Sequence, residues 1–173
     1  MIGLKAEKVL QSKFLKGNGM RTVLLSLKPE VFQNVASGDK IYEHRKVFPD
    51  GPVIAYIYIS KPVQELAGVM YLGNKKEIVE WKETYKEDCA ALERIDEYLK
   101  HHKVVMEIQK FQNTSSISLE KIKKVFPNFL IPQMYYYLDE HPLLQYLKEN
   151  LVPIGDPITH TFENITSDQI CVH

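Results

Sequence analysis

Cysteine is scarce in this 173-residue chain: Cys89 and Cys171 are the only two, and no Cys-x-x-Cys pair occurs. That excludes a disulfide framework and a complete thiolate metal site, and it points to a reducing, cytoplasmic setting. Long apolar runs are missing as well; none approaches the roughly 20 residues that span a bilayer, so no membrane is expected. The first stretch, residues 1–19, has basic side chains but no continuous apolar segment, and no secretory signal is predicted. There is no Walker loop, no Gly-x-Gly-x-x-Gly and no His-Glu-x-x-His. The usual phosphate-loop, dinucleotide and zinc-hydrolase signatures are therefore absent. Excess charge is lacking too, since 22 Lys and Arg balance 22 Asp and Glu. A neutral chain does not have the global field of a dedicated DNA binder.

What is present is the composition of a globular protein: 45% apolar, 25% charged and 10% aromatic residues. The length suits one core and is short for two. Residues 1–19, Lys-rich and ending in Gly17-Asn18-Gly19, read as an N-terminal extension, and residues 20–173 as a single domain. Charge is uneven along the chain. Residues 1–61 hold ten Lys or Arg against five Asp or Glu, and the remainder is acidic. Local anion binding in the first third and simple decoration of solvated faces are both compatible with that distribution.

Thr22–Leu27 is β-branched and aliphatic and predicts a buried strand. Pro29 at a first helical position and Gly38 at a C-terminal cap bracket a helix over 29–37. Residues 40–47, 53–60 and 65–72 predict strands, with Pro49-Asp50-Gly51-Pro52 turning between the first two. Over 75–100, Ile78, Trp81, Tyr85, Cys89, Leu92, Ile95 and Leu99 draw one apolar helical stripe. Thr84 and Glu87 look like a capping box, so two helices broken near Thr84 are expected, with Cys89 in the core. A strand follows at 103–111, then a helix capped by Ser118 and stapled by Ile117 and Ile122. Residues 131–138 read as a turn into a helical piece, 142–151 as a helix and 158–165 as a last strand. The adjacent His101 and His102 make a poor metal pair, and His141 and His160 read as surface residues. The fold class is α+β, a small β-barrel of about five to six strands with helical insertions.

The most informative stretch is Gly38-Asp-Lys-Ile-Tyr-Glu-His-Arg45. Strand alternation puts Ile41, Glu43, Arg45 and Val47 on one face, and Tyr42, His44 and Lys46 on the other. A carboxylate and a guanidinium beside aliphatic residues cost desolvation unless they pair or meet a ligand. Two readings stand: an internal ion pair closing one end of the barrel, or a cleft where the Arg fork binds an anion or a base edge while Glu43 accepts a hydrogen bond.

Leu-Ser-Leu-Lys-Pro-Glu at 25–30, Gly38-x-Lys40-x-x-Glu43-x-Arg45, and Tyr56-Ile-Tyr-Ile-Ser-Lys-Pro62 occur in order. Together they resemble the activating-signal-cointegrator-homology (ASCH) domain, a branch of the PUA-like superfamily. Pro132-Gln133-x-x-Tyr-Tyr-Leu138 is similar to the closing motif of its prokaryotic members. The likeness covers roughly residues 20–138 and does not account for the chain beyond 150. It implies a barrel that binds RNA or a modified, nucleotide-like small molecule in a cleft lined by the motif. One bacterial branch is an amidohydrolase of acetylated cytidine in which the motif Lys, here Lys40, activates a Thr. Glu43 stands at that Thr position. A carboxylate is a poor acyl nucleophile but can direct a water as general base, with Lys40 stabilising negative charge.

Three functions follow as expectations. The first is RNA or nucleoside binding, with Lys40, Glu43 and Arg45 as floor, Ser26, Lys28, Ser60 and Lys61 as rim, and Gln133, Tyr135 and Tyr136 as a stacking wall. The second is a metal-independent hydrolase, amidohydrolase-like or ribonuclease-like, using Lys40 and Glu43. The third is a non-catalytic interaction module presenting the helices at 75–100 and 141–151. No cofactor and no metal are expected.

Overall fold

The computed structural model describes residues 20–173, so the N-terminal extension read from the sequence lies outside the described residues. Strand β1 (Arg21–Leu27) leads into helix α1 (Pro29–Ser37), and then come β2 (Tyr42–Arg45), β3 (Val53–Ile59) and β4 (Glu65–Leu72). The short β5 (Lys76–Glu77) and a 3-10 turn (Ile78–Glu80) precede α2 (Trp81–Thr84) and α3 (Cys89–Leu99). The rest is β6 (Val104–Gln112), β7 (Ile117–Ser118), α4 (Leu119–Val125), β8 (Tyr135–Tyr137), α5 (Pro142–Asn150), β9 (Ile158–Thr159) and a 3-10 turn (Ser167–Gln169).

The strands form one curled, half-barrel mixed sheet in the order β2-β6-β4-β3-β1-β8, with the short β5 and β9 paired to β6 and β7 to β4. β1 and β3 run parallel, from Arg21 opposite Val53 to Leu27 opposite Ile59, and the other pairings are antiparallel. Side chains of β1 alternate between two cores. Val23, Leu25 and Leu27 join α1, β3 and β6 in one, while Leu24 packs with Tyr58, Ile122, Leu143 and Leu147 in the other. A strand covered on both faces needs apolar residues throughout, which is why Thr22–Leu27 reads so plainly. The Gly38 cap adopts φ +87 and its N–H closes α1 on the Val35 carbonyl. Gly68, at φ +84, lies where the β3–β4 register shifts; a Cβ there would come within 2.8 Å of Phe111.

Several elements differ from the sequence reading. The strand expected over 40–47 is limited to Tyr42–Arg45, and Val47 is exposed. Residues 135–137 are a strand, not a helical piece, because the tyrosines pair with the open edge of β1, Leu24 opposite Tyr136. The strand expected over 158–165 shrinks to two residues on β6. α3 is capped by Asp88, whose carboxylate accepts from the Ala91 N–H at 2.9 Å, and not from Thr84. Its buried face is accordingly Ala91, Ile95 and Tyr98, and Cys89 is exposed in its first turn. Ser118 does cap α4, and Ile117 and Ile122 are both buried in the second core. A third core gathers Ile41, Tyr42, Ile78, Ile95, Tyr98, Val105, Ile170 and Cys171.

Candidate functional site

Lys40, Glu43 and Arg45 come together because the short loop after α1 feeds directly into β2. The Lys40 N–H is held by the Asn34 carbonyl at 2.9 Å, and β2 is locked to β6 with Glu43 opposite Met106. Arg45 Nε donates to Glu43 Oε1 at 2.8 Å, and its Nη2 donates to the Ser26 carbonyl at 3.1 Å. The internal ion pair anticipated from strand alternation is therefore formed, and it ties β2 to the end of β1. Among the described residues Glu43 Oε2 has no hydrogen-bond partner and lies 3.9 Å from Lys40 Nζ.

Both faces of β2 are buried, and this is where sequence reasoning fell short. Lys40 and Glu43 are each 3% exposed and His44 5%, so the motif is covered, not open to solvent. Lys40 Nζ lies 3.3 Å from His44 Nδ1 and donates to the Val172 carbonyl at 2.7 Å. With Lys40 donating, Nδ1 of His44 accepts and the imidazole proton sits on Nε2. That atom is buried without a partner, as is the Tyr98 hydroxyl. The His44 ring packs against Tyr98 (centroids 4.8 Å) and Trp81 (6.0 Å), with His102 at 6.2 Å. Glu43 Oε2, His44 Nε2 and the Tyr98 hydroxyl are thus without a partner among the described residues, on three side chains linked through Lys40 and the His44–Tyr98 ring contact. Buried polar atoms of this kind carry a desolvation cost that a polar guest relieves.

Burial lowers the Lys40 ammonium's pKa, against the raising effect of Glu43, and Arg45 lowers it further. Burial, then Lys40, push the His44 imidazole well below its usual range. His102 is lowered by burial, in part offset by Glu43. The Cys171 thiol, beside Lys40, is pushed up to about 11 by burial. The site therefore combines a cation that gives up its proton more readily than a surface lysine with a neutral imidazole and a carboxylate oxygen free to accept.

The other sequence-predicted residues take up contacts of their own. Ser26 contributes its backbone carbonyl, not its hydroxyl. Lys28 is exposed at the N-cap of α1, Lys61 is exposed, and Ser60 is half-buried with its N–H on the Leu27 carbonyl. Gln133 is exposed. Tyr135 packs on Phe48, with ring centroids 5.1 Å apart, and Tyr136 donates its hydroxyl to the Leu130 carbonyl at 2.9 Å. Among the described residues no hydrogen bond or ion pair joins these rim and wall side chains to Lys40, Glu43 or Arg45. A concavity of about 700 Å³ lined by Arg21, Tyr137, Asp139 and His141 contains none of the motif. His160, expected at the surface, packs near Gly38 with a buried, unpartnered Nε2. No three His, Cys, Asp or Glu among the described residues are grouped to hold a metal. Nor is any described helix long and apolar enough to cross a membrane.

Among the described residues a curled mixed sheet with five helices, in which the Gly-x-Lys-x-x-Glu-x-Arg segment leads into the second strand, has the α+β fold of a solved ASCH structure. The solved structure of ASCH from Zymomonas mobilis superposes with a TM-score of 0.59 at 22% identity, covering 76% of this chain and 96% of that one. A serine-to-alanine mutant of the same protein gives 0.58 at 21% identity over 75% and 96%, and a tyrosine-to-phenylalanine mutant 0.58 at 20% over 76% and 99%. No family model matches the sequence. No curated protein matches it either. The likeness shows the fold, and it supports the ASCH resemblance read from the motifs.

Proposed function

We propose that the chain binds a nucleoside-like ligand, free or presented as a single unstacked base of RNA, at Lys40, Glu43 and Arg45, with His44 and Tyr98 completing the site. The observation that carries this reading is the set of buried, unpartnered polar atoms around a buried lysine: Glu43 Oε2, His44 Nε2 and the Tyr98 hydroxyl. Arg45 orients the carboxylate through Oε1 and so leaves Oε2 for the guest. An acceptor, a donor and a hydroxyl match the mixed donor–acceptor edge of a base better than they match a phosphate, which offers acceptors alone.

A second reading rests on the 3.9 Å approach of Glu43 Oε2 to a lysine whose pKa is lowered. The same cluster would hydrolyse an N-acylated base. Glu43 takes a proton from water as its oxygen bonds to the acyl carbon, and Lys40 donates to the oxyanion that forms. The C–N bond then breaks, and the amine leaves with the proton. Calorimetric titration with cytidine and N-acetylated cytidine, with product analysis by chromatography, tests both readings. Lys40→Met and Glu43→Gln are expected to weaken binding about tenfold or more, the worth of one charge-assisted hydrogen bond. Affinity unchanged in both variants refutes the site; binding without product in the wild type refutes only the hydrolase.

A further inference from the structure

The chain brings its own occupant to this site. Ile170 and Cys171 are buried in the third core, and Cys171 takes a left-handed backbone conformation at φ +54. Beyond that turn the Val172 carbonyl accepts from Lys40 Nζ at 2.7 Å. The His173 ring stacks on Tyr98, with centroids 4.9 Å apart and planes 27° from parallel. Asn34 Nδ2, at the end of α1, donates to the His173 carbonyl at 2.6 Å.

We infer that Val172 and His173 hold the place of the ligand, the carbonyl standing for an acyl or ring carbonyl on Lys40 and the imidazole for a base ring on Tyr98, and that a ligand enters by displacing them. The inference rests on the nucleoside reading of the same site and adds to it both the ligand's shape and a gate. The ligand class is a flat heteroaromatic ring with an adjacent carbonyl oxygen, which a pyrimidine nucleoside or its N-acyl derivative supplies. Tyr98, not Tyr135 or Tyr136, is then the stacking platform.

Two observations make the strap a competitor and not a fixed wall. Its last two residues are attached through contacts that a ligand can reproduce one for one: an acceptor on Lys40, a ring on Tyr98 and an acceptor on Asn34. It also satisfies Lys40 while leaving Glu43 Oε2, His44 Nε2 and the Tyr98 hydroxyl unpaired. A guest that satisfies those atoms as well gains hydrogen bonds which the strap does not make. Ile170 and Cys171, anchored in the core, keep the displaced residues close enough to return.

Trp81 is the sole tryptophan of the chain and lies 6.0 Å from the His44 ring, so its fluorescence reads the site. Cytidine and N-acetylated cytidine are titrated into the intact chain, into His173→Ala and into a chain lacking Val172 and His173. Affinity is expected to rise about tenfold on deletion and about threefold in His173→Ala, as for a site the strap leaves open roughly a tenth of the time. A synthetic peptide of residues 167–173 should lower the deletion variant's affinity again. The His173 ring resonances of the intact chain, displaced by stacking on Tyr98, should move toward those of a free imidazole side chain when nucleoside is added. Equal affinities in all three chains, with the His173 resonances unmoved by ligand, overturn the displacement and leave the nucleoside site standing. Absence of nucleoside binding in every form overturns both. Should the deletion disturb folding, His173→Ala, altered at an exposed position, and the His173 resonances of the intact chain decide the matter.

Discussion

His44 holds a neutral ring at neutral pH, since burial and the neighbouring Lys40 keep its pKa well below the ordinary 6.5. The sign of the stability effect follows. As pH falls through about 6.5 the unfolded chain takes up this proton and the folded chain does not. The stabilisation is complete above that value and is lost progressively below it. Replacing His44 by Phe, which keeps a ring against Tyr98 and Trp81, should flatten the loss of urea resistance between pH 7 and 5, by on the order of 1 kcal/mol near pH 5.5. His102 and His160 are lowered in the same direction, so part of the slope should remain. An unchanged pH profile would show that His44 does not titrate on unfolding. At this scale the sequence was half legible. Glu43 and Arg45 stood out because two charges on one strand face beside Ile41 demand an explanation. His44 and Tyr98 did not, because alternation puts His44 on the face opposite Glu43, and only the packing of α3 over β2 makes that face an interior one.

α3 is the element that turns a buried ion pair into a site, and its placement depends on one residue. Asp88 accepts from the Ala91 N–H through Oδ1, while Ser167 donates its hydroxyl to Oδ2 at 2.6 Å. The same carboxylate thus starts the helix that carries Tyr98 and fastens the segment leading to Ile170. Asp88→Ala should cost about 1–2 kcal/mol in thermal or urea unfolding, the usual worth of an N-cap. It should also raise amide exchange at Ala91 and shift the Trp81 emission. A loss confined to a few tenths of a kcal/mol would mean that Ser167 and Arg94, which donates to the Ser167 carbonyl at 2.7 Å, hold the segment without it. The helix is readable from its apolar spacing, but its cap is Asp88, four residues beyond Thr84. The spacing selects Leu92, Ile95 and Leu99, whereas the buried residues are Ala91, Ile95 and Tyr98, with Leu99 partly buried beside them. Tyr98 lies about 100° around the helix from Leu99, far enough for an apolar stripe to pass over a site residue. β8 was missed for a different reason: three tyrosines pair as a strand only because β1 offers a free edge, which no local pattern announces.

Across the whole molecule the charges cancel, and the residues that matter are shielded. A protein with equal numbers of acidic and basic side chains draws no polyanion from a distance. Nucleoside affinity is therefore expected to change less than about threefold between roughly 0.05 and 0.3 M salt, because screening acts on exposed charges and spares buried ones. A steep decline, the signature of counterion release, would place phosphate contacts at Lys28 or Lys61 and return weight to the rim anticipated from the sequence. The fold class was legible from ordered motifs and the run of strands; the cover over the site was not, since part of it, residues 170–173, lies beyond residue 138, where the motif likeness stops, and the rest is α3, whose facing side shows only once it is packed.

Lys40 and Val172 are separated by 132 positions in the chain, yet they meet through a single hydrogen bond. During synthesis Lys40 and its neighbours leave the ribosome long before the residues that shut them in, so the nascent protein passes through a stage with its most polar interior uncovered. Closing so long a loop is among the last events to repay its entropy. Truncated translation products that lack residues 170–173 should accordingly bind chaperones through this region.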